Sequence, residues 1–191
     1  MNDSRPWLGL ATHLGMPRTA TALGIALGAV LGLVNGVRFP LSVPYLQQLT
    51  GQSYLDMCAF WSASAVEQRV VALGDGGRLL QATLLGTVDV LIPVLSCVFA
   101  VSALGALTRA WGDTRLRRWL LALPLVPLAL DFAENASIAL LLVRHPTPSP
   151  WLAGTEGLLS GLKFTAYGAV LLAVVVLGVA RLFRPRAAEA S

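Results

Sequence analysis

Two carboxylates and an amide interrupt an apolar stretch of the sequence at helical spacing. Asp131, Glu134 and Asn135 stand at positions i, i+3 and i+4, so a helix presents all three on one face. One charged side chain at the centre of a membrane costs about 2.5–3.5 kcal/mol on insertion scales, so this face must turn towards other helices or a wet cavity. Carboxyl groups in such surroundings bind protons or cations, or act as general acids and bases.

Polar residues in two other apolar stretches fall at a similar depth. We take Arg78, Arg144 and Trp151 as the outer ends of the three helices. At a helical rise of 1.5 Å per residue, Asp89, Glu134 and Lys163 then lie about 16, 15 and 18 Å from these ends. Tyr167 follows Lys163 by one helical turn. We therefore predict a ligand or proton pocket formed by six residues: Asp89, Asp131, Glu134, Asn135, Lys163 and Tyr167.

A proline lies close to one of these acids. Pro93 follows Asp89 by four residues, and proline has no backbone N–H to donate to the carbonyl four residues before it. The carbonyl of Asp89 is thus predicted to need another donor, a cation or a ligand. Pro124 and Pro127 are predicted to loosen the third apolar helix just before Asp131.

The charges of this set do not balance. Three acids accompany one lysine, so full ionisation would leave about two negative charges without a partner in a medium of low dielectric. A purely structural role is the alternative, in which Lys163 and Glu134 form an ion pair and Asp89 is hydrogen-bonded as a neutral acid. Polar pairs between membrane helices are typically worth about 0.6 kcal/mol each.

The amino-acid composition indicates whether these residues lie in water or in a membrane. The chain has 191 residues, of which 55% are hydrophobic and only 13% charged, and its mean hydropathy is +0.69. A membrane helix needs roughly 20 apolar residues, and four runs reach that length. The sequence predicts an all-α integral membrane bundle, a single domain over 1–191, with spans at about 19–37, 79–107, 119–143 and 156–180.

The basic residues predict the orientation. Nine arginines lie before the first run, between the second and third, and after the fourth: Arg5, Arg18, Arg109, Arg115, Arg117, Arg118, Arg181, Arg184 and Arg186. The other two connections hold four: Arg38, Arg69, Arg78 and Arg144. By the positive-inside rule both termini are cytoplasmic, in a multi-pass protein of the cell inner membrane. We expect the excess of basic residues to reflect the orientation of the protein in the membrane, and we expect that the protein binds no nucleic acid.

The first run carries glycines at strict four-residue spacing: Gly24, Gly28, Gly32 and Gly36. Small residues in this pattern let a second helix approach closely. The favoured interpretation is a packing face within the bundle, and the alternative is a homo-oligomer seam or a contact with another membrane protein. Membrane lipids are the remaining expected partners.

The connection between the first two spans is the longest. Pro40 and Pro44 predict an extended start. An amphipathic helix is predicted over about 53–73, on the extracytoplasmic side. Ser53 and Asp56 resemble a capping box at its start, and the glycines from Gly74 onwards predict its end.

Three motifs resemble a group of small bacterial four-span membrane proteins: "LGDGGR" at 73–78, "DVLIP" at 89–93 and "DFAEN" at 131–135. The resemblance extends over about residues 50–143, although Gln81 and Ser96 stand where the group has aromatic residues. It implies the four-span architecture and the choice of site residues, and it implies no activity.

Catalytic signatures are absent from the sequence. There is no phosphate-binding loop motif, no nucleophile elbow and no zinc-protease motif, so whether the protein is an enzyme stays open. We expect no metal and no cofactor. The leading hypothesis is an acidic intramembrane pocket for a proton, a cation or a lipid-like ligand. The alternatives are an enzyme that modifies a lipid or isoprenoid, with Asp131 or Glu134 as acid or base and Lys163 stabilising negative charge, and a non-catalytic assembly partner.

Overall fold

The computed structural model describes residues 16–57 and 59–183, and these residues form α-helices and no strand. Eight α-helices occur in this part of the chain: α1 (Pro17–Gly36), α2 (Val43–Thr50), α3 (Ala63–Ala72), α4 (Gly74–Leu85), α5 (Val88–Leu107), α6 (Arg115–Ala122), α7 (Leu125–Arg144) and α8 (Pro150–Leu182). Two short 3-10 turns, Leu55–Met57 and Arg109–Trp111, lie between them.

Four stretches of helix are long and apolar enough to cross a membrane: Pro17–Gly36, Gly74–Leu107, Arg115–Arg144 and Pro150–Leu182. The prediction of an all-α protein is therefore confirmed, and so is the number of helical stretches that could span a membrane. The ends of the first stretch agree with the predicted limits to within two residues. The other stretches begin four to six residues earlier than predicted.

The second and third stretches are each two helices. Thr87 between α4 and α5 has φ −124° and ψ −85°, which interrupts the helical path. Leu123 and Pro124 separate α6 from α7, where proline removes a backbone donor. The break after Gly86 matters for the site, because it places Asp89 in the first turn of α5.

The connection between the first two spans differs from its predicted form. Residues 53–57 and 59–62 are not α-helical, so of the predicted helix over about 53–73 the structure forms only α3. The Ser53/Asp56 capping box is also wrong, because Ser62 caps α3 and its hydroxyl accepts a hydrogen bond from the Ala65 N–H. Asp56 contacts a different helix altogether.

Two further predictions for this connection are corrected. Pro44 does not keep the chain extended but lies in the first turn of α2, a position that needs no backbone N–H. Gly74 ends α3 as expected, with φ +65°, but the next helix starts at once. A Cβ on Gly77 would lie 2.5 Å from the Thr50 methyl group, so α4 needs glycine there to pass the end of α2.

The apolar side chains pack in two separate clusters. The larger cluster joins α2, α3 and α4 to the ends of α7 and α8 through residues such as Leu46, Val66, Leu84, Ile138 and Leu152. The smaller one joins Leu104 and Leu121 to the later part of α8. Along α5, along the stretch of α6 and α7, and along α8, the polar residues of the predicted pocket lie between the residues of these two clusters.

The glycine stripe of α1 is only partly a packing face. A Cβ on Gly24 would lie 3.0 Å from the Phe99 ring of α5. No atom of the described residues lies within 4 Å of a Cβ placed on Gly28, Gly32 or Gly36. The favoured in-bundle interpretation is therefore wrong for these three glycines, because the residues that α1 turns towards α5 lie on another face. Contact of the stripe with a second copy or another membrane protein stays a prediction.

Candidate functional site: a buried carboxylate cluster beside a cavity

Lys163 is the centre of the polar cluster. Its ammonium forms ion pairs with Glu134 of α7, where Nζ and Oε2 are 2.5 Å apart, and with Asp56 of the 53–62 segment. Nζ also donates to the Asp56 carbonyl at 3.2 Å. Lys163 is 2% exposed and Glu134 is fully buried. One ammonium thus forms ion pairs with carboxylates from two different elements.

Asp131 and Tyr167 connect α7 to α8 on the same side of the cluster. The Tyr167 hydroxyl donates to Asp131 Oδ2 at 2.9 Å. Asp131 is 5% exposed, and its neighbours therefore replace most of its water. The sequence placed both residues in the pocket, and the structure brings them together.

Asp89 and Asn135 meet at the start of α5. The Tyr54 hydroxyl donates to Asp89 Oδ2, and Asn135 Nδ2 donates to the Asp89 backbone carbonyl at 3.1 Å. This is the carbonyl that Pro93 leaves without a helical donor. An asparagine side chain from α7 thus satisfies a buried acceptor that would otherwise cost about 1–3 kcal/mol.

Three carboxylates approach one another closely enough to surround a cation. Oxygen atoms of Asp56, Asp131 and Glu134 lie within 4.8 Å of one another. The Lys163 ammonium already contacts Asp56 and Glu134, so the chain itself supplies a positive charge at this position. The carboxylates thus resemble a cation site in which the cation is the ammonium group of Lys163, a residue of α8.

Three members of the cluster were missed by sequence reasoning. Asp56 was assigned to a helix cap and Glu156 to the start of the fourth span, and Tyr54 was not assigned to the pocket. Glu156 is fully buried, and neither carboxylate oxygen has a hydrogen-bond donor among the described residues. The sequence did contain a signal that Glu156 belongs with Lys163. Polar residues recur every three or four positions in the fourth span and therefore share one face of α8: Glu156, Ser160, Lys163 and Tyr167.

Glycines on α8 explain how the 53–62 segment reaches Lys163. A Cβ on Gly157 would clash with the Trp61 backbone, and one on Gly161 would clash with the Phe60 ring. The Phe60 N–H donates to the Gly157 carbonyl at 2.9 Å, with Phe60 at φ +59°. The close packing that the sequence assigned to α1 therefore occurs on α8.

A cavity of about 240 Å³ adjoins the cluster. Asp56, Asp89, Asp131 and Lys163 all line it, while Glu134 does not. The remaining lining is mostly apolar, as at Leu84, Val88, Ile92 and Phe164. The cavity thus has a polar end with an excess of acids and an apolar body.

The cavity extends to the outer surface of the bundle between α1 and α8. Leu31 of α1 and Phe164 of α8 both line it, and they are 37% and 44% exposed. α1 packs mainly on α5, and α8 packs mainly on α7 and α3, so these two helices leave a gap. Exposed side chains at this level of a membrane bundle face lipid.

Comparison with known proteins gives no assignment. No protein family model, no curated protein and no solved structure matches the chain. Its function must therefore be inferred from the site itself.

Proposed function

We propose that the protein binds a lipid-like amphiphile, with the head group of the ligand against the buried acids and its chain in the apolar part of the cavity. The proposal rests on one observation. A single cavity is lined by Asp89, Asp131 and Lys163 at its inner end and by exposed apolar side chains at its outer end. Membrane-bound ligands enter such a site sideways, without crossing water.

The charge of the site selects the head group. Lys163 is already paired with Asp56 and Glu134. Asp89 and Asp131 line the cavity, and among the described residues their side chains accept hydrogen bonds from the hydroxyls of Tyr54 and Tyr167. An amine or a hydroxyl donates to carboxylates, and a phosphate is repelled by them. The proposed ligand therefore has an amine or polyol head rather than an anionic one.

Native mass spectrometry of the detergent-solubilised protein tests the proposal, with the co-purified lipid identified by fragmentation. Ile92 lines the cavity, so Ile92→Trp fills it, while the neighbouring Leu91 is 51% exposed and serves as the matched control in Leu91→Trp. We expect the wild type and Leu91→Trp to retain the same lipid and Ile92→Trp to lose it. Equal retention by both variants would place the lipid elsewhere.

An enzyme is the second candidate, and two tyrosine–carboxylate pairs at the cavity favour it. Asp131 lines the cavity and receives the Tyr167 hydroxyl, an arrangement suited to a general acid or base. Glu134 is a weaker choice, since it is absent from the cavity wall. Incubation of the purified protein with the identified lipid, followed by mass analysis, tests for turnover. Asp131→Asn should retain lipid and stop any conversion.

We further infer that the protein lies in a bacterial inner membrane with both termini in the cytoplasm and with α2 and α3 on the opposite side. The supporting observation is the nine-to-four distribution of arginines along the chain. In this orientation the carboxylate cluster lies nearer the outer face, beneath α2, α3 and the 53–62 segment.

A further inference from the structure

Glu156 is a buried acid that the proposed ligand site does not use. It is fully buried and absent from the cavity wall, and both of its oxygens lack a hydrogen-bond donor within residues 16–57 and 59–183. A buried carboxylate without a partner costs several kcal/mol if it is charged. Something other than this part of the chain must neutralise it.

The charged groups around Glu156 do not compensate it. Asp56 and Lys163 are within electrostatic reach, but Lys163 is already paired with Asp56 and Glu134. α3 also packs on this part of α8, and its two charged residues are engaged elsewhere. Glu67 accepts from the Ser149 N–H at 2.7 Å, and Arg69 stacks on Trp61 and donates to Ser53.

A proton fits this position better than a metal ion. A cation such as Mg²⁺ or Ca²⁺ needs at least six oxygen ligands, and among the described acids only Asp56, Asp131 and Glu134 are clustered closely enough to share one. Glu156 is outside that group. A single proton neutralises a carboxylate and requires no further ligands.

Asp56 lies against α8 about one turn beyond Glu156. Ser160 follows Glu156 by one turn and donates to the Asp56 carbonyl at 3.4 Å. The Asp56 side chain is 19% exposed and lines the cavity, whereas those of Lys163 and Glu134 are 3% and 0% exposed. Asp56 is thus the most exposed of these three ion-paired side chains, and it forms part of the cavity wall.

We propose that Glu156 is a proton-binding site that exchanges its proton with the cavity through Asp56. In the resting protein Glu156 is a carboxylic acid and Asp56 a carboxylate paired with Lys163. On transfer the O–H bond of Glu156 breaks and an O–H bond forms on Asp56, so charge and atoms are conserved. The Glu156 carboxylate left behind is within electrostatic reach of Lys163, whose ion pair with the Asp56 side chain has then ended.

NMR of the carboxyl carbons tests the resting state, because the sequence has only four glutamates: Glu67, Glu134, Glu156 and Glu189. Protein labelled with ¹³C-glutamate in detergent micelles should show an acid-type signal at neutral pH that is missing from Glu156→Gln. The control Glu67→Gln should remove a carboxylate-type signal instead. If Glu156→Gln removes a carboxylate-type signal, the proposal is wrong. Should this variant not fold, Glu156→Asp assigns the same signal by its loss.

The route is tested by transferring the labelled protein into D₂O and following the deuterium isotope shift of the Glu156 signal. Asp56→Asn cannot accept the proton, so we expect the shift to develop more slowly than in the wild type. Asp75→Asn is the control, because Asp75 is exposed and pairs with Arg78. An unchanged exchange rate in Asp56→Asn would rule out this route. Neither measurement involves a lipid, so both stand apart from the lipid-binding proposal.

Discussion

Asn135 donates from Nδ2 to the backbone carbonyl of Asp89 at 3.1 Å, across the contact between α7 and α5. Pro93 creates the need for this bond, since it cannot donate to the carbonyl four residues before it. The proline and the asparagine lie more than 40 residues apart in the sequence and act as one unit in the fold.

The first prediction follows from this unit. Asn135→Ala should lower the free energy of unfolding by about 1–3 kcal/mol, because it leaves a buried carbonyl without a donor. In a Pro93→Ala background the helix regains its own N–H donor, so the same change should cost less. Unfolding in mixed micelles for the two single variants and the double variant measures the coupling. Strictly additive effects would show that the hydrogen bond does not depend on Pro93.

The second prediction concerns the ion pairs of Lys163. Lys163→Met should cost about 3–5 kcal/mol, because it leaves Glu134 and Asp56 together without their cation. Adding Glu134→Gln removes one of the two stranded charges, so the double variant should be more stable than Lys163→Met. Thermal melts in detergent check the order of stability. A double variant no more stable than Lys163→Met would mean that Glu134 does not interact with the lysine.

The third prediction contrasts two sets of glycines. Gly157→Ala should lose about 1–3 kcal/mol, because the added methyl group forces Trp61 away from α8. Gly28→Ala is the matched control, since no described atom lies within 4 Å of its added Cβ. Melting temperatures of the two variants decide the matter. A loss at Gly28 in the monomeric protein would restore the in-bundle packing face that the structure contradicts.

A larger substitution at Gly28 tests assembly. If α1 contacts a second copy, Gly28→Leu should weaken cross-linking between copies in the membrane and leave the monomer fold intact. Cross-linking that is equal in the wild type and Gly28→Leu would remove the stripe as a self-association surface.

The fourth prediction concerns orientation. In a variant without Cys58 and Cys97, a cysteine at Thr147 should react with an impermeant thiol reagent added outside, and one at Gly112 should be protected. Both positions are exposed in the structure, so the reagent can reach them. Ser149 lies close to Thr147 but is only 4% exposed, and it is therefore unsuitable for labelling. The reverse labelling pattern would place both termini outside.

The sequence by itself determined the membrane class, the four spans and much of the polar layer. Backbone hydrogen bonds within a membrane must be satisfied locally, so apolar length and helical periodicity define the spans without reference to other segments. The cost of exposing a charge to lipid then turned Asp89, Glu134 and Lys163 inwards at a common depth. The pairing of Glu134 with Lys163 follows from that restriction and from opposite charge.

Only the tertiary structure decided which loop covers the layer. Asp56 lies 107 positions from Lys163, and its local spacing from Ser53 fits a helix cap equally well. Periodicity identifies the face of a helix that is buried, but it does not identify the element that buries it. The 53–62 segment crosses α8 because Gly157 and Gly161 leave room for Phe60 and Trp61, and this contact brings Asp56 to the lysine.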